Sequence, residues 1–182
     1  GIQPQDKAQS FRGYLAVPAS GRGPGLVLGQ EIFGVNGNMR AVADLYAEEG
    51  YVVLVPDLFW RMERDVDLGY TEQDFAKAID LFQRMDLDLA VHDISASFAK
   101  LKTLDQVEGD GFGFVGFCMG GKLAYLTATR TQAACSVGFY CMGIENYLDE
   151  VDSIQGRLVL HFAENDAYCD AHARAEISSA LK

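Results

Sequence analysis

The sequence predicts an α/β fold, with a mostly parallel sheet covered by helices on both faces. Tyr51–Val55 is a continuous apolar, β-branched run, which is typical of a strand buried on both sides. Segments of this kind alternate along the chain with helix-forming segments, and such alternation indicates a parallel sheet. A third observation is a reactive side chain, Cys118, held between glycines where one strand-like run passes into a helix-like run.

The predicted strands are short apolar runs that end at turn or loop residues. The first is followed by the turn Gly21–Gly25, and another is preceded by the turn Asp105–Gly111. The strands cover Tyr14–Val17, Gly25–Gly29, Tyr51–Val55, Phe112–Phe117, Cys135–Tyr140 and Leu158–Phe162.

The predicted helices begin at residues that can accept hydrogen bonds from free backbone amides. Asn38 and Asp170 are expected N-caps, and Thr71 with Asp74 resembles a capping box with Asp in place of Glu or Gln. Gly50 is expected to end the first helix. The helices cover Met39–Glu49, Thr71–Met85, Leu87–Leu104, Gly120–Arg130 and Ala171–Leu181.

Length and charge narrow the classes of function. A chain of 182 residues is expected to form a single domain, 1–182, and its net charge of −11 disfavours nucleic acid and anionic membrane surfaces as partners. No apolar run approaches the length of a membrane span. The four cysteines show no disulfide or zinc-ligand spacing, so we expect reduced thiols, a cytoplasmic location, no metal and no cofactor.

The segment Gly116-Phe-Cys-Met-Gly120 has the spacing G-x-S-x-G with cysteine in place of serine. This is the nucleophile elbow of the α/β-hydrolase fold, where small residues are needed around a strained turn. We therefore predict that Cys118 is a nucleophile. The helix that follows is expected to direct free amides at the sulfur and to favour a thiolate. The alternative, a small buried apolar cysteine, is disfavoured by the flanking glycines.

Two carboxylates follow predicted strands, as functional residues in open α/β sheets do. Asp166 comes after Leu158–Phe162 and is the candidate acid of a catalytic triad, the alternative being a turn or cap residue. Glu31 comes after Gly25–Gly29 and is a candidate proton acceptor for Cys118, the alternative being a solvated loop residue.

The histidines do not complete this set. His172 alone follows Asp166, and we expect it to be an exposed residue of the last helix. His161, inside a strand, and His92, inside a helix, are interpreted as structural. A histidine base is therefore expected beyond Lys182.

The oxyanion hole is expected to consist of backbone amides. One would be that of Met119, directly after the nucleophile, and the other that of Ile32 in the loop after an earlier strand. A competing motif, G-x-G-x-x-G at Gly111–Gly116, would indicate a nucleotide-binding oxidoreductase. Its glycines precede and run through a strand instead of opening a helix, so we interpret the match as accidental.

Several segments together resemble the dienelactone hydrolase family, from about Gly25 to the C-terminus. They are Gln30–Asn36, Met39–Arg40, Gly50–Tyr51, Pro56–Leu58 and Gly116–Gly121. The resemblance implies an α/β-hydrolase fold without a large lid domain. It implies that Cys118 is the nucleophile, Asp166 the acid, Ile32 and Met119 the oxyanion amides, and Glu31 a residue that exchanges a proton with the cysteine when substrate binds. Family members open dienelactones to maleylacetate in the breakdown of (chloro)aromatic compounds.

The chain departs from the family pattern in two places. The family's catalytic histidine and a substrate-binding arginine would lie past Lys182, so the chain is expected to be C-terminally incomplete and to lack the last strand and helix. A second arginine of the family aligns with Phe75. Loss of a charge-assisted contact to a carboxylate weakens the case for an anionic dienelactone, and the expected partner is a small-molecule lactone or ester. The alternative is a non-catalytic ligand-binding or regulatory protein on a hydrolase fold.

Overall fold

A computed structural model describes residues 1–6 and 9–182 of the chain. Their strands form a six-stranded sheet in the order β1-β3-β2-β4-β5-β6, in which β1 is antiparallel to β3 and the other pairs are parallel. The predicted α/β fold with a mostly parallel sheet is confirmed. The strands are β1 (Gly13–Ala16), β2 (Gly23–Gly29), β3 (Val52–Pro56), β4 (Val107–Phe117), β5 (Cys135–Phe139) and β6 (Arg157–His161).

The helices follow the predicted order. They are α1 (Gly37–Glu48), α2 (Glu72–Arg84), α3 (Leu87–Lys102), α4 (Met119–Arg130) and α5 (Ala171–Ala180). A kinked 3-10 segment, Ile144–Ser153, lies between β5 and β6 and was not predicted. No helix of the described residues is both long enough and apolar enough to cross a bilayer.

The N-caps were predicted correctly at two of the helices. Thr71 and Asp74 form a reciprocal capping box at α2, and Asp170 accepts a hydrogen bond from the amide of Ala173 at α5. The cap predicted at Asn38 was wrong. Asn36 caps α1 instead, since its Oδ1 accepts from the amide of Met39 at 3.1 Å.

Side chains on successive strand residues enter different cores because they point to opposite faces of the sheet. In β3, Val53 and Val55 pack in the core that contains α1, whereas Val52 and Leu54 pack in the core that contains α3 and α4. All of these side chains are buried. The sheet is thus covered on both faces, as the continuous apolar run of β3 predicts.

β4 is longer than predicted. Asp105–Gly111 was expected to be a turn, but the strand begins at Val107, which lies opposite Gly23 of β2. The register shifts between Pro24 and Leu26, so the early part of β4 pairs across an irregularity that the sequence pattern does not reveal. The G-x-G-x-x-G glycines lie inside β4 and no helix begins until Met119, which agrees with the interpretation of that motif as accidental.

The carboxyl ends of the central strands finish level with one another. Phe117 of β4 lies opposite Phe139 of β5, which lies opposite His161 of β6. Their rings stack across the sheet, with centroids 5.0 Å apart for the first pair and 4.5 Å for the second. Gly29 at the end of β2 lies opposite Gly116. The loops after these strands therefore start from a common edge of the sheet.

Candidate active site

Cys118 occupies the sharp turn between β4 and α4. Its backbone has φ 55° and ψ −112°, a positive-φ conformation that non-glycine residues rarely adopt. The turn is held from both sides, because the amide of Cys118 donates to Phe139 O at 3.1 Å and its carbonyl accepts from the amide of Lys122 at 3.2 Å. The predicted strand–elbow–helix geometry is confirmed.

The glycines around Cys118 are required by close backbone contacts. A Cβ atom on Gly116 would lie 1.9 Å from the carbonyl oxygen of Gly120. A Cβ atom on Gly120 would lie 2.5 Å from the carbonyl oxygen of Gly29. Neither oxygen can move without displacing the backbone, so any side chain at these positions would deform the elbow. This is the steric reason that the sequence pattern predicts.

The thiol of Cys118 is half-buried, and its pKa is raised. Burial is the largest cause, and the charges of Glu31 and Asp166 raise the pKa further. A hydrogen bond from the backbone amide of Met119 acts in the opposite direction and is outweighed. The expectation that the elbow favours a thiolate was therefore wrong for the net effect. One amide at the start of α4 does stabilise the thiolate, but loss of hydration costs more.

Glu31 is held in place by its neighbours on adjacent loops. Its Oε1 accepts a hydrogen bond of 3.0 Å from the hydroxyl of Tyr140. The preceding residue, Gln30, is fully buried, and its Oε1 accepts from the amide of Leu58 at 3.1 Å. The loop after β2 is thereby joined to the loops after β3 and β5. Glu31 is partly buried, which disfavours the alternative of a solvated loop residue.

Tyr140 adopts an unusual conformation to reach Glu31. Its φ is 39°, and its amide donates to His161 O at 2.8 Å. Its ring packs against Phe117, with centroids 6.0 Å apart. The pKa of the Tyr140 hydroxyl is raised, first by burial and then by the charge of Glu31 and the hydrogen bond to it. The hydroxyl therefore remains a donor over the whole neutral pH range.

Asp166 lies in the loop after β6, as predicted. Its Oδ1 accepts a hydrogen bond from the amide of Tyr168 at 2.8 Å, which is a local turn contact. Its charge also acts on the thiol of Cys118. Asp166 thus has the turn role that was considered as the alternative, and it also lies within electrostatic range of the candidate nucleophile.

The two residues predicted to supply oxyanion amides have buried side chains. Met119 and Ile32 are 0% and 6% exposed. The backbone amide of Met119 is directed at the sulfur of Cys118. Ile32 directly follows Glu31, so its amide belongs to the same anchored loop.

The histidines lie where the sequence interpretation expects them. His172 is exposed on α5, and its Nε2 lies 3.5 Å from Oε1 of Glu176. His161 stacks on the ring of Phe139, and His92 is exposed on α3. No group of three or more His, Cys, Asp or Glu side chains within 1–6 and 9–182 is arranged to hold a metal ion.

Comparison with known proteins assigns the chain to a family. Residues 11–182 match the sequence profile of the dienelactone hydrolase family. The chain belongs to the dienelactone hydrolase family. The resemblance inferred from the sequence motifs is confirmed, and the protein is a hydrolase of the α/β type.

Members of the dienelactone hydrolase family with curated names are similar over most of this chain. A carboxymethylenebutenolidase of a Pseudomonas species is 35% identical over 173 residues, which is 94% of this chain and 72% of the relative. Carboxymethylenebutenolidase 1 of Cupriavidus pinatubonensis is 31% identical over 166 residues, or 91% of this chain and 70% of the relative.

A solved structure shows the same fold at lower identity. The dienelactone hydrolase-like promiscuous phosphotriesterase from metagenomic libraries superposes with a TM-score of 0.80 at 18% identity, covering 99% of this chain and 74% of the other. At this identity the comparison supports the fold alone.

Sequence reasoning missed two residues that shape the site. Tyr140 was placed at the end of a strand without a role, although it follows β5 as Cys118 follows β4 and Glu31 follows β2. The same rule about carboxyl ends of strands could have found it. Gln30 was part of the family motif, but its bond to Leu58 depends on a loop contact that only the folded chain reveals.

Proposed function

We propose that the chain hydrolyses a small lactone or carboxylic ester through a thioester formed on Cys118. The observation that carries the proposal is the positive-φ elbow, which holds a partly buried thiol beside two carboxylates. The named relatives support a lactone as the class of substrate, since they are carboxymethylenebutenolidases. We further propose that 1–182 is a single α/β-hydrolase domain.

Activation of the thiol is the first step of the proposed mechanism. Because burial raises the pKa of Cys118, the thiol is protonated at neutral pH and needs a proton acceptor. We assign that role to Glu31, whose carboxylate acts on the thiol. The hydrogen bond from Tyr140 orients one of its oxygens and leaves the other available.

Acyl transfer follows from this arrangement. The sulfur attacks the carbonyl carbon, a C–S bond forms, and the carbonyl oxygen takes the negative charge. We propose that the amides of Met119 and Ile32 receive this oxyanion, a contribution typically worth about 10²–10³ in rate per donor. The carbonyl then re-forms as the C–O bond to the alkoxide breaks, and the leaving oxygen takes up the proton that Glu31 removed from the thiol. Water cleaves the thioester, and the thiol is regenerated.

Asp166 is proposed to orient and charge-stabilise a histidine base. None of the three histidines of this chain is among the groups that act on the thiol of Cys118, so we propose, as the sequence prediction has it, a histidine beyond Lys182. In that arrangement, Glu31 would take the thiol proton and the histidine would activate water for release of the acyl group.

Substitution of the sulfur tests the proposal. We expect Cys118→Ala to lower kcat/KM on phenyl acetate and on a small neutral lactone by at least about a hundredfold. Cys135→Ala is the matched control, because Cys135 is exposed at the opposite end of β5 and should leave the rate unchanged. Turnover that survives Cys118→Ala unchanged would refute the assignment.

A further inference from the structure

Lys122 lies one helical turn after the reactive sulfur. Its backbone amide donates to Cys118 O at 3.2 Å, so the two residues lie on the same side of α4. Because side chains on a helix lean towards its amino end, the side chain of Lys122 extends back towards the level of the elbow. A Cβ atom on Gly143 would lie 2.7 Å from its Nζ, which places the ammonium against the loop after β5. That loop also carries Tyr140, the partner of Glu31.

Two aromatic rings from different elements flank this ammonium. The Nζ of Lys122 lies 5.9 Å from the ring centroid of Phe82 on α2, and 5.9 Å from that of Tyr147 on the 3-10 segment. Tyr147 is itself held in place, because its carbonyl accepts a hydrogen bond of 2.9 Å from the hydroxyl of Tyr125. The guanidinium of Arg130 also lies over its ring, at 5.5 Å. The ammonium is therefore placed by side chains that are fixed by their own contacts.

Helix α2 connects these rings with the candidate active site. Phe75 and Phe82 are seven residues apart on α2, which brings them to the same face of the helix, about 10 Å from each other. Phe75 packs on Phe33, two residues after Glu31, with ring centroids 6.3 Å apart. One face of α2 therefore extends from the loop that carries Glu31 to the ammonium of Lys122.

A carboxylate next to Lys122 has an unused hydrogen-bond acceptor. Glu145 lies on the 3-10 segment, and its Oε2 is buried without a hydrogen-bond partner among the described residues. Its charge favours the ammonium form of Lys122, in opposition to burial, which lowers the pKa of the lysine. Within residues 1–6 and 9–182 the two side chains thus act on each other through this field, without a direct ion pair.

An ammonium and a carboxylate that interact without touching suit a ligand group that both accepts and donates hydrogen bonds. A buried polar atom without a partner is costly, so native proteins keep one chiefly where a ligand, an ion or a water supplies the missing bond. A hydroxyl or a primary amide can accept from the ammonium of Lys122 and donate to Oε2 of Glu145. The neighbouring rings of Phe82 and Tyr147 offer apolar contact to the rest of such a ligand.

We propose that Lys122 and Glu145 form a subsite that binds an uncharged hydroxyl or primary amide group of the substrate. The inference rests on the proposed function in that it adds a binding determinant to the same site. The reacting carbonyl lies at Cys118, and the polar group lies about one helical turn further along α4. Lys122 is not among the groups that shift the pKa of Cys118, so we assign it to binding and not to activation of the thiol.

Protection of the sulfur measures occupancy of this subsite without turnover. Methyl methanethiosulfonate converts a cysteine thiolate into a methyl disulfide and releases methanesulfinate, and peptide mass mapping reads Cys118 and the exposed Cys135 in one sample. We expect benzamide to slow modification of Cys118, but not of Cys135, in the full chain. The half-saturating concentration of benzamide should rise at least about tenfold in Lys122→Met and in Glu145→Leu, as for loss of a hydrogen bond to a charged group.

The matched control is Lys102→Met. Lys102 is exposed at the end of α3, where it lies 3.9 Å from Asp110, and its replacement should leave the protection unchanged. The same dependence on benzamide in Lys122→Met as in wild type would overturn the inference. Absence of any protection would also overturn it, because the two charges would then hold a bridging water only. Stronger protection by benzoate that depends on Lys122 and not on Glu145 would contradict the uncharged class of ligand.

Paired substrates measure the subsite during turnover. Lys122→Met should raise KM for 4-carbamoylphenyl acetate about tenfold with kcat changed less than about twofold, because it removes binding that is equal in the ground state and the transition state. KM for phenyl acetate should stay within about twofold of wild type, since that ester has no amide group. A merely structural role of Lys122 would instead lower activity on both esters alike.

The outcomes separate the two proposals. Cys118-dependent turnover in which Lys122→Met changes KM equally for both esters would contradict the subsite and leave the nucleophile assignment intact. Absence of Cys118-dependent turnover on either ester would contradict the proposed function, and protection by benzamide would still decide whether the subsite exists.

Discussion

The hydroxyl of Tyr140 donates a hydrogen bond to Oε1 of Glu31 across 3.0 Å. This bond joins the loop after β5 to the loop after β2, which are 109 residues apart in sequence. Tyr140 makes this bond from a backbone conformation with a positive φ of 39°. Such a conformation is costly for a tyrosine, by about 1–3 kcal/mol, and usually persists where the surrounding structure imposes it. We infer that Tyr140 is a positioning residue for Glu31.

Removal of that hydroxyl should affect the chemical step more than substrate binding. Tyr140→Phe keeps the ring against Phe117 but leaves Glu31 free to rotate. We expect kcat on phenyl acetate to fall about tenfold with KM changed less than about twofold, as for loss of a hydrogen bond to a charged group. Steady-state kinetics measure both parameters.

The matched control is Tyr51→Phe. Tyr51 packs on Tyr46 and directly precedes β3, at the amino end of the strand and away from the candidate site. It should leave both parameters unchanged. A Tyr140→Phe enzyme with wild-type kcat would show that the bond to Glu31 has no part in the reaction.

The charge of Glu31 should have opposite effects on thiol acidity and on turnover. Glu31 raises the pKa of Cys118, so Glu31→Gln should lower that pKa and move the pH profile of iodoacetamide alkylation to lower pH. Ester turnover should fall in the same variant, since the proton acceptor is lost. Glu48→Gln, at the end of α1, is the control for both assays. A Glu31→Gln variant in which the pKa of Cys118 falls and ester turnover is unchanged or increased would contradict the assignment of Glu31 as base.

Substitution of an elbow glycine by alanine should destabilise the fold much more than the same substitution at a glycine earlier in β4. Gly120→Ala places a methyl group 2.5 Å from Gly29 O, and we expect it to cost about 3 kcal/mol or more of unfolding free energy. Gly111→Ala meets only the Cβ of Ala134 at 3.4 Å, so its effect should stay below about 1 kcal/mol. Urea unfolding of both variants measures the difference, and similar losses would contradict the steric account of the elbow.

Buried Cys141 should make the fold sensitive to alkali. Burial raises the pKa of its thiol from 9.0 to about 12. Because the unfolded chain ionises first, the stability that this group contributes is complete below pH 9 and is lost as the pH rises towards 12. Thermal unfolding above pH 9 should therefore be less pH-dependent in Cys141→Ala than in wild type or in Cys135→Ala. The same dependence of thermal unfolding on pH in all three proteins would refute the role of Cys141 in alkaline sensitivity.

Local patterns predicted the elements that depend on local chemistry. The run Tyr51–Val55 anticipated β3, and Thr71 with Asp74 anticipated the start of α2, because burial on both faces and capping are encoded in neighbouring residues. The turn at Cys118 was predicted for the same reason, since the strand, the glycines and the helix that define it are adjacent in sequence.

Features that depend on distant contacts were missed or misjudged. Val107–Gly111 looks like a turn by composition, and it becomes strand because β2 offers backbone partners opposite it. Asn36 caps α1 in place of Asn38 because of the position of the loop between β2 and α1. That loop is fixed by the bond from Asn36 Nδ2 to Leu68 O at 3.1 Å.

The acidity of Cys118 could not be predicted from its motif alone. The motif indicates the helix amides, but the net shift is set by burial and by Glu31 and Asp166, which approach from other strands. The structure brings Cys118, Glu31 and Asp166 within electrostatic range of one another, whereas the predicted effect of the turn on the pKa of the thiol was wrong.

The thioester itself is the most direct test of the central claim, that Cys118 is the acylated residue. Rapid mixing with phenyl acetate, acid quench and mass spectrometry of the intact protein should show a mass increase of one acetyl group, mapped by proteolysis to the peptide that carries Cys118. The adduct should be absent in Cys118→Ala and present in Cys135→Ala. An adduct on another residue, or ester turnover with full activity in Cys118→Ala, would contradict the account.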